Sequence, residues 1–332
     1  MEPLQPIRNF EHIKLLSDSR RLAILRLLMA GPGSLSTLGR ALGEHPARAR
    51  HHLKLLEQAG LVELVETRPL PGFVEKYYRA TAQAFMLSAL VLPAWSEGET
   101  LVALVSHDLA LDLLARRVEQ AHTGLRFLPV PVGSLDGLVA LRQGLARLAG
   151  CHLLDADTGQ YNLPYVRHFF PDRPMAVFTL AYRQQGLLVA PGNPLGLRGL
   201  QDLARQDVLL VNRNLGSGTR LWLDRQLRLL GLPPAVVRGY DQEVRTHTAV
   251  AEAVAQGRAN AGIGLLAAAR RFGLDFIPLF QERYDLVLPE EDLSLPPLQP
   301  LFELLNSGQY RQAVAELSGY ETAHTGERLT LN

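Results

Sequence analysis

The chain has 332 residues, 47% apolar and 20% charged, with a net charge of +1. That length exceeds one ordinary domain and predicts two or three. A single cysteine, Cys151, excludes an internal disulfide and any cysteine-cluster metal site. No window approaches the roughly 18 uninterrupted apolar residues of a membrane span. The opening run MEPLQPIRNFEHIKLL lacks a basic stretch followed by an apolar one, so no signal peptide, no membrane contact and a cytoplasmic location are expected.

The charge is unevenly spread. Residues 1–82 hold 12 Lys+Arg against 8 Asp+Glu, a balance of +4, which leaves −3 for the rest. All the lysines (Lys14, Lys54 and Lys76) lie in that first quarter. A basic module on a mildly acidic body predicts a polyanion partner for one part only.

In chain order, FEHIKLLSDSRRLAILRLLMAG places Ile13, Leu16, Leu22, Leu25, Leu28 and Met29 on one stripe, as two helices broken near Ser17-Asp18-Ser19. A short helix over 34–43 follows, then one over 45–60 with Pro46 in its first turn and Gly60 at its C-terminal end. LVELVETR and FVEKYYRA alternate as two strands joined by PLPG. Helix, helix, turn, helix and hairpin make a winged helix-turn-helix. On the third helix Ala49, Leu53, Leu56 and Gly60 share the inward face. Ala47, His51 and Lys54 face outward with Arg48 and Arg50 on the flanks, a cationic face suited to a DNA major groove. Arg68 and Lys76 on the hairpin would accompany it. The same charges also suit a plain solvated face.

Residues 10–82, and above all HHLKLLEQAGLVE, resemble the winged helix of ArsR-type bacterial transcription regulators. The resemblance implies recognition of double-stranded DNA by the helix at 46–59, a wing at 67–76 and a homodimer. Arg50 stands where the family often has Ser, so base contacts do not transfer. The family's cysteine metal motif is absent, and no metal site is expected. Residues 83–99 read as a connector, with AQAFMLSALVL as one helix able to form a dimer seam or to pack on its own module.

From Thr100 strands alternate with helices, which predicts an α/β domain with a largely parallel sheet. Strands are expected at 101–105, in LRFLPVPVG, in CHLLDAD, over 175–190, in VLLVN, in AVVRG, in ANAGIGL and through DFIPLFQERYDLVLP. Helices are expected at SLDGLVALRQGLARLAG, 198–205, 219–230 and 247–256, with a helical tail. Two α/β lobes joined by long extended segments make a bilobal binding architecture. HLLDADTGQYN, VAPGNPLGL, VNRNLGSGTR, HTAVAEAVAQGRANAGIG and GLDFIPLFQERYDLVLP resemble the periplasmic-binding-protein-like (type II) domain related to molybdate and tungstate receptors. The likeness covers about 100–290; Asn260 stands where the family more often has Asp. The expected division is a DNA-binding domain over 1–82, a connector over 83–99 and a ligand-binding domain over 100–332. Its first lobe would take about 100–185 and 275–332, and its second about 190–272.

Ligands of α/β sheets bind beyond the carboxyl ends of strands. Three loops there open helices with neutral donors: Ser106 in SHD; Ser217, Gly218, Thr219 and Arg220 in GSGTR; and His247 and Thr248 in THT. Such helix starts hold anions through unpaired backbone N–H groups. Serine and threonine are also ordinary helix caps. Arg220 either turns into the cleft or pairs with Asp224 four residues on. Asp157, Thr158 and Tyr161 either line the cleft or form a structured turn. GSGTR lacks the Lys of a phosphate-transfer loop and the G-x-S-x-G spacing of a serine hydrolase, so no catalytic residue, no enzyme and no cofactor is expected. The chain reads as a one-component regulator sensing a small anion, molybdate or tungstate first. The alternative is a solute-binding or molybdenum-cofactor-related protein that takes a small organic anion.

Overall fold

The structure, a computed structural model, describes residues 2, 5–7, 9–43, 45–87 and 98–331. It divides into two compact units, Met1–Ala94 and Trp95–Asn332.

The first unit opens with β1 (Gln5–Ile7), α1 (Phe10–Leu16) and α2 (Ser19–Ala30). Asp18 accepts from the backbone N–H groups of Arg20 and Arg21, which restarts the helix at the expected break. β2 (Gly33–Ser34) leads into α3 (Leu35–Leu42), where Ser34 and Thr37 form a reciprocal capping box and Gly43, at φ 65°, ends the helix. α4 (Pro46–Gln58) begins with proline in its first turn and buries Ala49, Leu53 and Leu56. β3 (Val62–Leu70) and β4 (Phe73–Ala80) form the hairpin, and the sheet order is β2-β4-β3. The expected connector helix is not what Phe85–Leu87 form: they are β5, paired in parallel with β1. Phe85 packs against the module's own core, and that burial decides against a free helix. Residues 88–97 of the connector lie outside the described residues.

The second unit runs β6 (Glu99–Val105), α5 (Leu109–Ala121), β7 (Leu125–Pro131), α6 (Ser134–Arg142), β8 (Leu148–Cys151), α7 (Leu163–Phe169) and β9 (Met175–Val189). It continues with β10 (Leu210–Arg213), α8 (Gly218–Leu229), β11 (Glu243–Val244), α9 (His247–Ala255), β12 (Ala261–Leu265), α10 (Leu266–Arg271) and β13 (Asp275–Pro289). It closes with α11 (Gln299–Leu305), α12 (Gly308–Ala315), β14 (Tyr320–Glu321) and β15 (Arg328–Leu329).

The sheet is mixed rather than largely parallel, in the order β11-β10-β12-β9-β13-β8-β6-β7. β6, β7 and β8 run parallel at one end and β10, β11 and β12 at the other. The 15-residue strands β9 and β13 lie antiparallel between them and belong to both lobes. At their crossing Arg183 faces Glu282 and Gln184 faces Gln281.

Three local expectations change. The helix over 134–150 stops at Arg142 because Gly144, at φ 68°, reverses the chain, and Leu148–Cys151 become a buried strand. AVVRG is no strand: Pro234–Val236 form a 3-10 turn, and Gly239 approaches the Leu210 carbonyl too closely for any side chain. The segment 198–205 holds a 3-10 turn over Leu200–Ala204, and the tail adds β14 and β15 to the edge of β9. Gly150 on β8 lies against the buried Tyr284 hydroxyl with no room for a Cβ. Gly150→Ala is expected to cost about 1–3 kcal/mol through overpacking, read as a lower denaturation midpoint with an unchanged folded-state spectrum.

Candidate functional sites

On α4 the residues Ala47, Arg48, Arg50, His51 and Lys54 are all exposed. They form one continuous face because the inward positions are taken by Ala49, Leu53 and Leu56. On the hairpin Lys76 is exposed, whereas Arg68 is committed to Glu66 at 2.6 Å and lies 4.3 Å from the centre of the Tyr77 ring. The cationic surface of this unit is therefore chiefly that of α4.

In the second unit, charged side chains collect where the two lobes meet on β9 and β13. Arg183 is fully buried and donates from Nη1 to Asp108 Oδ2 at 2.6 Å and from Nε to Glu282 Oε1 at 2.7 Å. Asp108 also caps α5 and accepts from the Tyr320 hydroxyl. Glu282 accepts as well from His152 Nδ1 at 2.7 Å and from the Gln185 amide. His152 Nε2 meets the Ser106 hydroxyl at 2.9 Å. Gln185 reaches across to Thr219 Oγ1 at 3.0 Å.

The electrostatics follow from this wiring. Burial raises the cost of ionising Glu282, yet Arg183 and His152 outweigh it and hold the carboxyl at about 2. Burial pushes Arg183 down, but Glu282 and Asp108 more than reverse that. Arg213, at the end of β10, is compensated less, by Glu282 at a distance and by no ion pair among the described residues. It is 1% exposed, and burial and the neighbouring Arg183 pull it down to about 9. Its Nη2 donates to the Arg245 carbonyl at 2.9 Å, while Nε and Nη1 have no partner among the described residues. Arg183 Nη2 and both ring nitrogens of His247 are likewise buried and unpartnered. Burial, followed by repulsion from Arg213 and Arg183, keeps His247 neutral. A guanidinium does not escape such a site by losing its proton. Buried donors left without a partner in this way are costly.

The loops expected from sequence reach this junction unequally. Ser106, Thr219 and His247 are buried in it. His247 N–H donates to His107 Nδ1 at 3.3 Å, which ties α9 of one lobe to the loop before α5 of the other. Gly218 packs against the His152 carbonyl and ring so closely that a Cβ cannot be placed. Ser217 is spent on capping α8, accepting from Arg220 N–H at 3.2 Å and donating to the Asn214 carbonyl. Arg220 does not turn into the junction. It pairs with Asp224 and Glu243, each at 3.0 Å, and stacks 4.0 Å from the Tyr240 ring centre. Thr248 is half-buried. Asp157 and Thr158 are exposed, and Thr158 closes a turn on Asp155 at 2.7 Å. Tyr161 donates its hydroxyl to the Gln281 carbonyl at 3.2 Å.

Sequence reading missed Arg183, Gln185, Glu282, His152 and Arg213. For Arg183, Gln185 and Glu282 the available signal was placement: AYRQQG and FQERYD set runs of consecutive polar residues inside long strands that are otherwise largely apolar, while His152 and Arg213 carried no such mark. Among the described residues no helix is long and apolar enough to cross a membrane, and no group of three or more His, Cys, Asp or Glu could hold a metal ion.

A two-lobed α/β unit with buried charged side chains at the crossing of two shared strands is a solute-binding type of domain, here carried behind a helix-turn-helix. The chain belongs to the PBP superfamily, whose domain model matches residues 115–306, and a helix-turn-helix domain model matches residues 16–65. The uncharacterized protein YvgK of Bacillus subtilis (strain 168) is 41% identical over 239 residues, 71% of this chain and 76% of that protein. An uncharacterized protein from the 5′ region of a 2Fe-2S ferredoxin gene of Clostridium pasteurianum is 39% identical over 113 residues, 32% of this chain and 96% of that one. Among solved structures, an ABC-type phosphate transport receptor from Vibrio cholerae is 18% identical with a TM-score of 0.44, covering 66% of this chain and 98% of its own. The effector-binding domain of QuiR in complex with shikimate is 15% identical with a TM-score of 0.44, covering 62% and 95%.

Arg213 gives a direct test. In the ligand-free protein, Arg213→Met should raise stability by about 1–4 kcal/mol, since it replaces a poorly compensated buried charge by an apolar chain of similar length. A lower melting temperature for this variant would mean that Arg213 already has its counter-charge.

Proposed function

We propose that this protein is a one-component transcription regulator that binds double-stranded DNA through its helix-turn-helix unit and a small anion at the junction of its two lobes. The observation that carries the reading is Arg213, a buried guanidinium with two unpartnered nitrogens and no ion pair of its own, within electrostatic reach of Arg183 and His247 in a chain that also bears a helix-turn-helix module. Molybdate and tungstate are the first candidates from the resemblance of the loop sequences, and other small anions meet the same donors. Ser106 and Thr219 contribute polar atoms beside the anion, while Ser217, Gly218, Arg220 and Thr248 shape the loops that close on it. Asp157, Thr158 and Tyr161 border this region through their turn.

DNA recognition falls to Ala47, Arg48, Arg50, His51 and Lys54 of α4, with Arg68 and Lys76 on the hairpin. A homodimer would present two such helices to two half-sites. Ligand and DNA then influence each other through linkage: an anion that favours one DNA-binding state is itself bound more tightly in that state.

The test is selection of duplexes from a random library by the full chain, followed by titration of the selected site with and without molybdate, tungstate, phosphate and sulfate. Arg48→Ala with Lys54→Ala should weaken DNA binding by about 10- to 100-fold, and the salt slope should fall by about 1 for each phosphate that loses its cation. Anion affinity should be unchanged in the same variant. Failure of the full chain to enrich any duplex sinks the regulator reading.

A further inference from the structure

The hairpin of the first unit spends its charges on itself. Arg68 donates to both carboxylate oxygens of Glu66, from Nε at 2.6 Å and from Nη2 at 3.0 Å, and its guanidinium lies 4.3 Å from the Tyr77 ring centre. The Tyr77 hydroxyl donates to Glu75 Oε2 at 3.0 Å. From Glu66 to Lys76 two basic residues stand against two acidic ones, a net charge of zero. A clamp on phosphate needs cations in surplus, and the cation of this stretch outside the cluster is Lys76.

Beyond that cluster the tip is apolar and stiff. Residues 69–74, PLPGFV, carry no charge. Leu70 pairs with Phe73 across the turn, so the two stand side by side on one face, and Pro69 pairs with Val74 on the other. Pro71 and Gly72 take the two central positions, and proline before a glycine at φ 86° is the chemistry of a type II turn. Leu70, Phe73 and Val74 are 42%, 59% and 58% exposed. Single exposed apolar side chains are ordinary, but three at one turn form a cluster that invites cover. Phe73, Val74 and Lys76 also line a groove of about 600 Å³ whose other wall includes Arg50 and Lys54 of α4. The apolar tip therefore borders the same groove as the cationic helix face. Glu57 and Glu75 line that groove too, and they oppose a phosphate lying beside the hairpin.

We propose that the hairpin tip acts on DNA as an apolar wedge: Phe73, backed by Leu70, enters a base step of the minor groove beside the major groove that α4 reads, partly unstacks it and bends the duplex. The inference rests on the reading of the first unit as a DNA-binding module, and deepens it. A wedge needs an exposed apolar side chain on a stiff support, with no charge to carry into the base stack. Pro69 and Pro71 give that stiffness by fixing their backbone angles. Duplex DNA is favoured over a second copy of the chain because the tip is continuous with the cationic groove of α4, which attracts a polyanion and repels its own like. Part of the sequence preference then lies in deformability. Pyrimidine–purine steps unstack easily and A-tracts resist, so a TA or CA/TG step is expected where the tip enters.

The test uses the full chain on the duplex it selects, with donor and acceptor dyes at the duplex ends to read bending and a salt series to read affinity. The wild-type complex is expected to be bent by roughly 20–90°. Phe73→Ala should straighten it and weaken binding by on the order of 10-fold with the salt slope unchanged, whereas loss of cations from α4 lowers that slope. Replacing the flexible step by a stiff A-tract should weaken the wild type and leave Phe73→Ala nearly indifferent. Phe73→Leu should keep most of the bend, and Leu70→Ala should lose part of it. Both side chains are exposed, so unchanged melting temperatures are expected of these variants. A straight wild-type complex, or an equal bend with Phe73→Ala, overturns the wedge and leaves DNA binding by α4 standing. Loss of self-association in Phe73→Ala with the bend retained assigns the tip to contact between copies, and overturns it as well. If the full chain selects no duplex, the regulator reading fails and the wedge with it.

Discussion

One ion pair organises the larger unit: Arg183 of β9 facing Glu282 of β13, at the point where two long antiparallel strands pass from one lobe into the other. Both groups are buried, so each must be compensated where it stands. Arg183 recruits Asp108 from the start of α5, and Glu282 recruits His152 from the end of β8 and Gln185 from β9. Two elements of the first lobe are thereby registered against the shared strands. Gln185, through Thr219, extends the same network into the second lobe. Arg213 lies within electrostatic reach of this network, and the carboxylates that would balance it are already engaged by Arg183.

The GSGTR loop takes a different meaning in this setting. Its glycines and hydroxyls resemble an anion cradle when read along the chain. In the folded unit Gly216 accepts from Leu135 N–H at 3.1 Å, and Asn214 donates to the Val132 carbonyl at 3.0 Å, so the loop joins its lobe to the other. Gly218 must lack a side chain because the His152 backbone occupies that space. The small residues serve close approach of two lobes, and Arg220 braces the loop from behind through Asp224 and Glu243. The arginine with unpartnered buried nitrogens is instead Arg213, seven residues earlier at the end of β10.

The N-terminal unit was legible almost element by element, for a local reason. Its helices are short and amphipathic, bounded by Asp18, Ser34, Gly43, Pro46 and Gly60, each of which acts through hydrogen bonds or backbone angles within a few residues. The parallel pairing of Phe85–Leu87 with Gln5–Ile7 was not legible, because partners some 80 residues apart leave no periodic trace in a segment of three residues.

By itself the sequence determined the helix-turn-helix order, the bilobal class, the long extended segments 175–189 and 275–289, and the helix starts that carry Ser106, Thr219 and His247. These follow from periodicity, capping and turn chemistry, all of which act over short spans of chain. Only the tertiary structure decided that Arg220 is held by Asp224 and Glu243 while Arg183 and Arg213 are buried, and that the Ser106 hydroxyl meets His152. Those outcomes depend on which buried charges find partners across 75, 99 and 130 residues of separation. An arginine with an ion pair and one without look alike in sequence, and folding alone distinguishes them by removing the water that would have satisfied both.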